Sequence, residues 1–137
     1  MKILVDTCVW SLALRRPAAR LNAVERQTVD RLRELVEESR AVLVGPIRQE
    51  ILSGIRDTET FDRLREHLRA FEEQPISVEE YEDAARCANL CRGAGLAGSA
   101  VDFLICAVAL RRKLEILTTD DDFADFAAVL PITLSRR

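Results

Sequence analysis

The stretch Ile3-Leu4-Val5-Asp6-Thr7 decides the architecture of this chain, because three apolar residues lead directly into a carboxylate and a hydroxyl. A short, continuous apolar run with two β-branched residues is typical of a strand that is buried on both faces, as in a parallel sheet. In open α/β sheets, ligands bind at the carboxyl edge of the strands. Asp6 is therefore predicted at the functional edge of a sheet.

The size and composition of the chain fit one globular domain. It has 137 residues, of which 48% are hydrophobic and 31% are charged. No apolar run approaches the roughly 20 residues that span a bilayer. The start, Met1-Lys2-Ile3, leads directly into the predicted strand and shows no signal peptide. We therefore expect residues 1–137 to form a single cytoplasmic domain that makes no membrane contact.

The four cysteines show no metal-binding or redox spacing. None of them forms a C-x-x-C pair, and His67 is the only histidine that could complete a zinc site. We interpret them as reduced thiols that pack as small apolar side chains. They are Cys8, Cys87, Cys91 and Cys106.

Strand and helix patterns alternate along the chain. Strands are predicted over 3–5, 41–44, 75–76, 115–118 and 131–134, the last at an edge because proline is tolerated there. Helices are predicted over 10–14, 22–39, 46–55, 59–72, 78–92, 99–113 and 119–128. The pairs Asn22–Glu25 and Ser77–Glu80 have capping-box spacing. This alternation predicts an α/β three-layer sandwich with a mostly parallel central sheet of about five strands and helices on both faces.

Four acidic residues fall at equivalent points of this pattern. Asp6 ends the first strand, and Glu50 lies in the first turns of the helix after the second strand. Asp102 lies in the first turn of the buried helix 99–113, and Asp120 opens the helix after the fourth strand. In a parallel sheet, strand ends and the starts of the following helices share one edge. We therefore expect three of these carboxylates to meet there, and Asp102 joins them if its helix points the same way.

Helix capping is an alternative reason for some of these acids. Ser99-x-x-Asp102 and Thr119-x-x-Asp122 match the capping-box spacing, and an acid in a first turn favours the helix dipole by ~0.3–1 kcal/mol. Capping alone gives no reason for Asp6 to end so apolar a strand. Crowded carboxylates also repel one another, so at least one would hold a proton unless a cation lies among them.

The chemistry of these donors favours a hard cation. Carboxylate oxygens suit Mg²⁺ or Mn²⁺, and the scarcity of histidine argues against zinc. Carboxylate-bound ions of this kind promote phosphodiester hydrolysis by lowering the pKa of a water molecule and neutralising charge on the phosphate. Metal-dependent phosphodiester hydrolysis is therefore one reaction to which such an acidic cluster is suited.

The charge of the chain is compatible with a nucleic-acid substrate once the acidic cluster is set aside. The net charge is −3, from 23 acidic and 20 basic residues, so the chain without its four proposed ligands has 19 acids and a remainder of +1. Two basic groups, Arg15 with Arg16 and Arg20, and the run 111–113, could contact phosphates or form a solvated surface.

Four segments together resemble the PIN-domain ribonucleases, and most closely the VapC toxins of bacterial and archaeal toxin–antitoxin pairs. They are ILVDTCVW at 3–10, QEILSG at 49–54, DFLICA at 102–107 and LTTDDDF at 117–123. Their spacing and the total length fit, so the resemblance covers essentially the whole chain. It implies a single PIN-like domain.

The resemblance also implies an activity and its residues. It implies a Mg²⁺-dependent endoribonuclease, with Mn²⁺ as a substitute ion, that cuts transfer or ribosomal RNA. Thr7 matches a hydroxyl residue that often follows the first aspartate in the family, whereas Cys8 stands where serine is common. The residues carried over as catalytic metal ligands are Asp6, Glu50, Asp102 and Asp120, with Asp122 as an outer contributor to the metal site.

The partners implied by the resemblance are a second copy of the chain and a small antitoxin. The family pattern is a homodimer, or a higher toxin–antitoxin assembly, with a VapB-like antitoxin. The C-terminal segment of that antitoxin usually lies over the acidic pocket.

Other classes of protein could also carry an acidic edge. A phospho-acceptor receiver domain needs a lysine after a late strand, where this chain has Ser135-Arg136-Arg137. A D-x-D phosphatase needs an acid at the position of Cys8. A protein that binds RNA without cutting it would bind equally well in EDTA, whereas the nuclease requires a metal ion to act.

Overall fold

A three-stranded parallel sheet lies at the centre of the computed structural model, which describes residues 1–71 and 73–136. The strands are β1 (Ile3–Val5), β2 (Ala41–Val42) and β3 (Glu115–Leu117), in the order β2-β1-β3. Both pairings are parallel. The first strand of the chain is therefore the central strand of the sheet.

Seven helices connect and cover these strands within the described residues. They are α1 (Thr7–Leu14), α2 (Ala23–Glu37), α3 (Gly45–Leu52), α4 (Thr58–Leu68), α5 (Val78–Gly93), α6 (Ala100–Arg112) and α7 (Asp122–Ala127), with a short 3₁₀ helix at Ala18–Arg20. Helix α5 packs along α6, and α1 packs against α2 and α3.

The burial of β1 explains why the chain folds around it. Ile3, Leu4 and Val5 are 1%, 0% and 0% exposed. Because successive side chains of a strand point to opposite faces, both faces of the sheet are covered at β1. The doubly buried strand that the apolar run predicts is therefore confirmed.

The expectation of about five strands is wrong, because the described residues form only three. The segment 131–134 makes a single parallel bridge, in which Ile116 donates to Thr133 and accepts from Ser135. Pro131 has no N–H with which to extend that ladder. The segment 75–76 forms no strand, and the carbonyl of Pro75 instead accepts a hydrogen bond from Arg112 Nη2 at 3.2 Å.

Most predicted helices are present, with shifted ends. Helix α1 starts at Thr7 rather than at residue 10, because the Asp6 carboxylate caps it. The capping boxes that begin α2 and α5 form as predicted. Helix α4 ends at Leu68; residue 72, the predicted end of that helix, lies outside the described residues. In the described parts of the chain, no helix is both long enough and apolar enough to cross a bilayer.

Candidate functional site

Asp6 is held from two sides at the carboxyl end of β1. Its Oδ1 accepts the N–H of Thr7 at 2.8 Å, and its Oδ2 accepts the hydroxyl of Thr118 at 2.8 Å. Its own N–H donates to the carbonyl of Leu117 at 2.9 Å, which continues the pairing with β3. The residue is only 6% exposed. Asp6 therefore presents a nearly buried carboxylate in a defined orientation.

Thr118 is a site residue that the sequence analysis did not single out. Its hydroxyl donates to Asp6 and accepts the N–H of Asp120 at 3.0 Å, so it links two of the predicted ligands. Val5 and Leu117 are partners in the parallel register, which places Thr118 beside Asp6. The signal for Thr118 was its position at the end of a strand, directly after the apolar run.

Cys8 lies directly beside Asp6 and Thr118. Its Sγ lies 3.4 Å from Asp6 Oδ2 and 3.4 Å from Thr118 Oγ1, and it accepts the N–H of Thr119 at 3.4 Å. Burial and the charge of Asp6 raise the pKa of the Cys8 thiol. Cys8 is therefore a neutral thiol that can donate weakly to the carboxylate.

Glu50 reaches the same edge from α3. It is exposed, and its Oε1 accepts the hydroxyl of Thr7 at 2.7 Å. The backbone of Thr7 in turn donates to Asp6. Thr7 therefore links Glu50 to Asp6 through its hydroxyl and its N–H.

Asp102 both caps its helix and acts on the site. Its Oδ2 accepts the N–H of Ser99 at 3.0 Å, and Ser99 Oγ accepts the N–H of Asp102 at 3.1 Å, so the predicted capping box forms. After burial, the negative charge of Asp102 raises the pKa of Asp6; after the charge of Asp120, it also raises the pKa of Asp122. The start of α6 therefore lies close enough to the strand edge for the acids to repel.

Asp120 and Asp122 lie after β3, where the helix begins later than the sequence predicts. Asp120 does not open a helix, since α7 begins at Asp122 and its N-cap residue, Asp121, caps with no side-chain hydrogen bond. The Oδ1 of Asp120 accepts the N–H of Asp122 at 2.9 Å. The predicted capping box from Thr119 to Asp122 is therefore wrong, because Asp120 takes that N–H instead.

The cluster is electrostatically crowded. Burial, and to a smaller extent the charge of Asp102, raise the pKa of Asp6, although hydrogen bonds from Thr118, Thr7 and Cys8 oppose the shift. The charge of Asp120 is the main cause of the raised pKa of Asp122. The side chains that act most strongly on these two carboxyls are acids and hydrogen-bond donors. A cation at this edge would relieve the repulsion.

The donors fit a hard divalent cation in chemistry, but their present orientation does not close a metal site. Among residues 1–71 and 73–136, no three acidic, histidine or cysteine side chains converge closely enough to hold an ion. One oxygen each of Asp6, Asp102 and Asp120 accepts a backbone N–H. Metal binding at this edge would therefore require these side chains to move closer together.

The family of the chain follows from a match that covers most of its length. Residues 3–129 match the family model of the PIN domain. The chain belongs to the PIN domain family, so the family predicted from the four segments is confirmed.

Solved structures share this fold over nearly the whole chain. The crystal structure of FitAcB from Neisseria gonorrhoeae is 23% identical, with a TM-score of 0.72 and coverage of 97% of this chain and 96% of that one. VapBC2 from Rickettsia felis, bound to a DNA fragment from their promoter, is 15% identical, with a TM-score of 0.73 and 98% coverage of both chains. FitAB bound to an IR36 DNA fragment is 21% identical, with a TM-score of 0.73 and coverage of 97% and 93%. No curated protein sequence matches the chain.

Proposed function

We propose that residues 1–137 form a single PIN domain that acts as a Mg²⁺-dependent endoribonuclease, with Mn²⁺ as a substitute ion. The observation that carries this proposal is the gathering of acids from four elements at one edge of a PIN-domain sheet. Burial is the main reason why the pKa of Asp6 is raised, whereas the neighbouring charge of Asp120 is the main reason why that of Asp122 is raised. Such an edge repels a phosphodiester unless a cation is bound there.

The residues of the site have distinct tasks in this proposal. Asp6, Glu50, Asp102 and Asp120 would hold the ion, with Asp122 beside them. A bound Mg²⁺ lowers the pKa of a water molecule and neutralises charge on phosphate oxygens. The hydroxyls of Thr118 and Thr7 donate to Asp6 and Glu50 and hold each carboxylate in place, as outer ligands of metal sites do.

Asp6→Asn tests the proposal with little disturbance of the fold. Asparagine caps helices as well as aspartate does, and its amide oxygen can still accept the N–H of Thr7. Purified protein would be incubated with total cellular RNA in Mg²⁺, in Mn²⁺ or in EDTA, and the new RNA ends would be mapped. We expect discrete cuts that leave 5′-phosphate and 3′-hydroxyl ends, require the metal ion, and disappear with Asp6→Asn.

Asp62→Asn serves as the matched control. Asp62 lies on α4, its side chain is 53% exposed, and it pairs only loosely with Arg65 at 3.7 Å. Cleavage by this variant should equal that of the unmodified protein. If folded Asp6→Asn still cuts RNA at the unmodified rate, Asp6 has no place in the reaction. If no metal ion supports cleavage by the unmodified protein, the PIN fold serves binding rather than hydrolysis.

We also propose that this nuclease is the toxin of a toxin–antitoxin pair and cuts transfer or ribosomal RNA. The resemblance to VapC sequences and the fold shared with VapBC2 and FitAB chains support this role. Its partners would be a VapB-like antitoxin and a second copy of the chain, in a cytoplasmic assembly. Expression in a bacterial host should stop growth, whereas Asp6→Asn expressed at the same level should not; equal growth of the two cultures would contradict the toxin role.

A further inference from the structure

A cavity of about 870 Å³ lies directly beside the acidic edge. This volume lies within the range of ligand sites in proteins. The end of α1, the segment that follows it and the start of α2 form most of its wall. Its lining includes Cys8, Ser11, Arg15, Arg16, Arg20 and Glu25.

The cavity and the acidic edge share a wall. Cys8 and Thr119 both line the cavity, and the N–H of Thr119 donates to the sulfur of Cys8. The same sulfur atom lies 3.4 Å from the Oδ2 of Asp6. Thr119 is also the residue directly before Asp120. A chain-like ligand in the cavity would therefore continue directly onto the carboxylates.

The charge of the cavity is opposite to that of the protein as a whole. Three arginines line it against a single acid, Glu25, which leaves an excess of two positive charges on a chain of net charge −3. Arg16 pairs with Glu25 at 2.5 Å. Within the described residues, Arg15 and Arg20 form no ion pair, and both are exposed. Two arginines are therefore available to an anionic ligand.

From this arrangement we propose that the cavity binds unpaired nucleotides of the RNA substrate next to the scissile phosphate, and that Arg15 and Arg20 contact the RNA backbone. The inference rests on the proposed nuclease function. Contacts to phosphates position a nucleic acid without reading its sequence. The two arginines would hold the strand so that the next phosphate lies at the acidic edge.

The apolar part of the cavity favours unpaired over duplex RNA. Leu12, Pro17 and Val24 line it together with the arginines, and Val24 is 60% exposed. Bases of unpaired RNA can turn outward and pack on apolar side chains or on guanidinium planes, whereas the bases of a helix are stacked inside it. A cavity with both kinds of wall therefore suits a single strand.

The binding experiment uses full-length protein carrying Asp6→Asn, so that RNA is not cut. The probe is a labelled single-stranded RNA about 12 nucleotides long, which lies within the site sizes known for single-strand binders. Each lost phosphate contact lowers the slope of log affinity against log salt by about 0.7. Arg15→Gln and Arg20→Gln should each show this smaller slope. An increase from about 50 to 200 mM salt should then weaken unmodified binding about 2.6-fold more than that of each variant.

A gain of binding provides an independent test. The Oε1 of Glu25 accepts the N–H of Asn22 at 3.0 Å as part of the capping box of α2. Glutamine can fill the same role in a capping box, so Glu25→Gln should keep the helix while releasing Arg16 from its ion pair. We expect tighter RNA binding and a steeper salt dependence. Damage to the fold would not produce such a gain.

Arg33→Gln is the matched control for charge. Arg33 also lies on α2, is 66% exposed, and lies outside the cavity. Its loss should leave the salt slope unchanged. With Asp6 restored, Arg15→Gln and Arg20→Gln should raise KM for RNA and leave kcat unchanged, because contacts away from the reacting atoms act equally on the ground and transition states.

The outcomes separate this inference from the nuclease proposal. In one outcome the unmodified protein cleaves RNA, but Arg15→Gln and Arg20→Gln bind RNA as Arg33→Gln does. That result would overturn the role of the cavity and leave the nuclease proposal intact. Binding that depends on both arginines without any cleavage would overturn the nuclease and keep the RNA surface. Binding of a short polyglutamate peptide would be measured beside RNA binding. If Arg15→Gln and Arg20→Gln bind RNA unchanged but no longer bind this peptide, the cavity binds an acidic protein segment and the inference is overturned.

Discussion

Replacing Arg112 by alanine should destabilise the fold by about 3 kcal/mol, because it leaves a buried carboxylate without its partner. Arg112 Nε donates to Glu80 Oε2 at 2.7 Å, and its Nη2 donates to Oε1 at 2.9 Å. The side chains are 22% and 3% exposed. This ion pair joins the end of α6, the helix that carries Asp102, to the start of α5.

The size of the effect follows from the geometry. Removal of one partner from a buried ion pair costs about 3–5 kcal/mol. Two features favour the lower value: Arg112 is partly open to water, and Glu80 keeps hydrogen bonds from the N–H and hydroxyl of Ser77 at 2.9 and 3.1 Å. For a domain of this size, about 3 kcal/mol corresponds to a fall in Tm of about 10 °C.

Urea unfolding of Arg112→Ala beside Arg111→Ala is the assay. Arg111 also binds α5, through Asp83 at 2.9 Å, but its side chain is 47% exposed. An exposed ion pair adds little to stability because solvent screens it, so Arg111→Ala should change little. The reasoning is refuted if the two variants lose the same stability.

The pH dependence gives a second check of the same pair. The hydrogen bond from Arg112 is the main reason why the pKa of Glu80 lies below its ordinary value of 4.5. A carboxyl with a lowered pKa in the folded state stabilises the protein above its unfolded pKa, and this contribution is lost as the pH falls through the folded pKa. The deficit of Arg112→Ala should therefore be full near neutral pH and shrink below the unfolded value. A deficit that is constant with pH would contradict an ionic origin.

Two further substitutions test the packing at Gly98 and the cap of α2. Gly98→Ala should lower the free energy of unfolding in urea by about 1–3 kcal/mol, because its Cβ would lie 2.8 Å from Phe126 Cζ and 2.9 Å from Phe103 Cζ. Gly93→Ala is the control and should not destabilise the protein, because its Cβ would meet nothing within 4 Å. Equal effects of the two changes would show that the phenylalanine rings move aside freely. Asn22→Ala should lower the free energy of unfolding, measured by thermal unfolding, by about 1 kcal/mol, because it removes the side chain that caps α2. Asn22→Asp should be nearly neutral, because aspartate caps helices as well as asparagine does. Equal losses of stability would show that the cap contributes nothing.

The sequence was most informative where structure depends on near neighbours. The apolar run 3–5 and the capping boxes at Asn22, Ser77 and Ser99 could be predicted because each involves residues within a few positions of one another. The prediction failed at Pro75 and in 131–134. In both segments a proline is followed by an isoleucine, a pattern that is compatible with a strand. Whether such a segment joins the sheet depends on which backbone groups lie opposite it.

The candidate site was predictable in position but not in detail. A strand that ends in Asp6 placed that acid at the carboxyl edge by the rule for parallel sheets alone. Asp102 could be interpreted equally as a cap or as a site residue; the structure forms its capping box with Ser99, and its part in the site stays a prediction. Whether one residue can serve both roles depends on how α6 packs beside the sheet, which no local pattern specifies.

The sequence by itself indicated the family and the doubly buried first strand, and it supplied the candidate acids, because these depend on short patterns and fixed spacings. The tertiary structure alone decided the number of strands, the role of Thr118 and the arginine-lined cavity beside Cys8. The bond from Thr118 to Asp6 joins residues 112 positions apart. Such a contact depends on strand register and helix packing, and no local pattern in the chain specifies it.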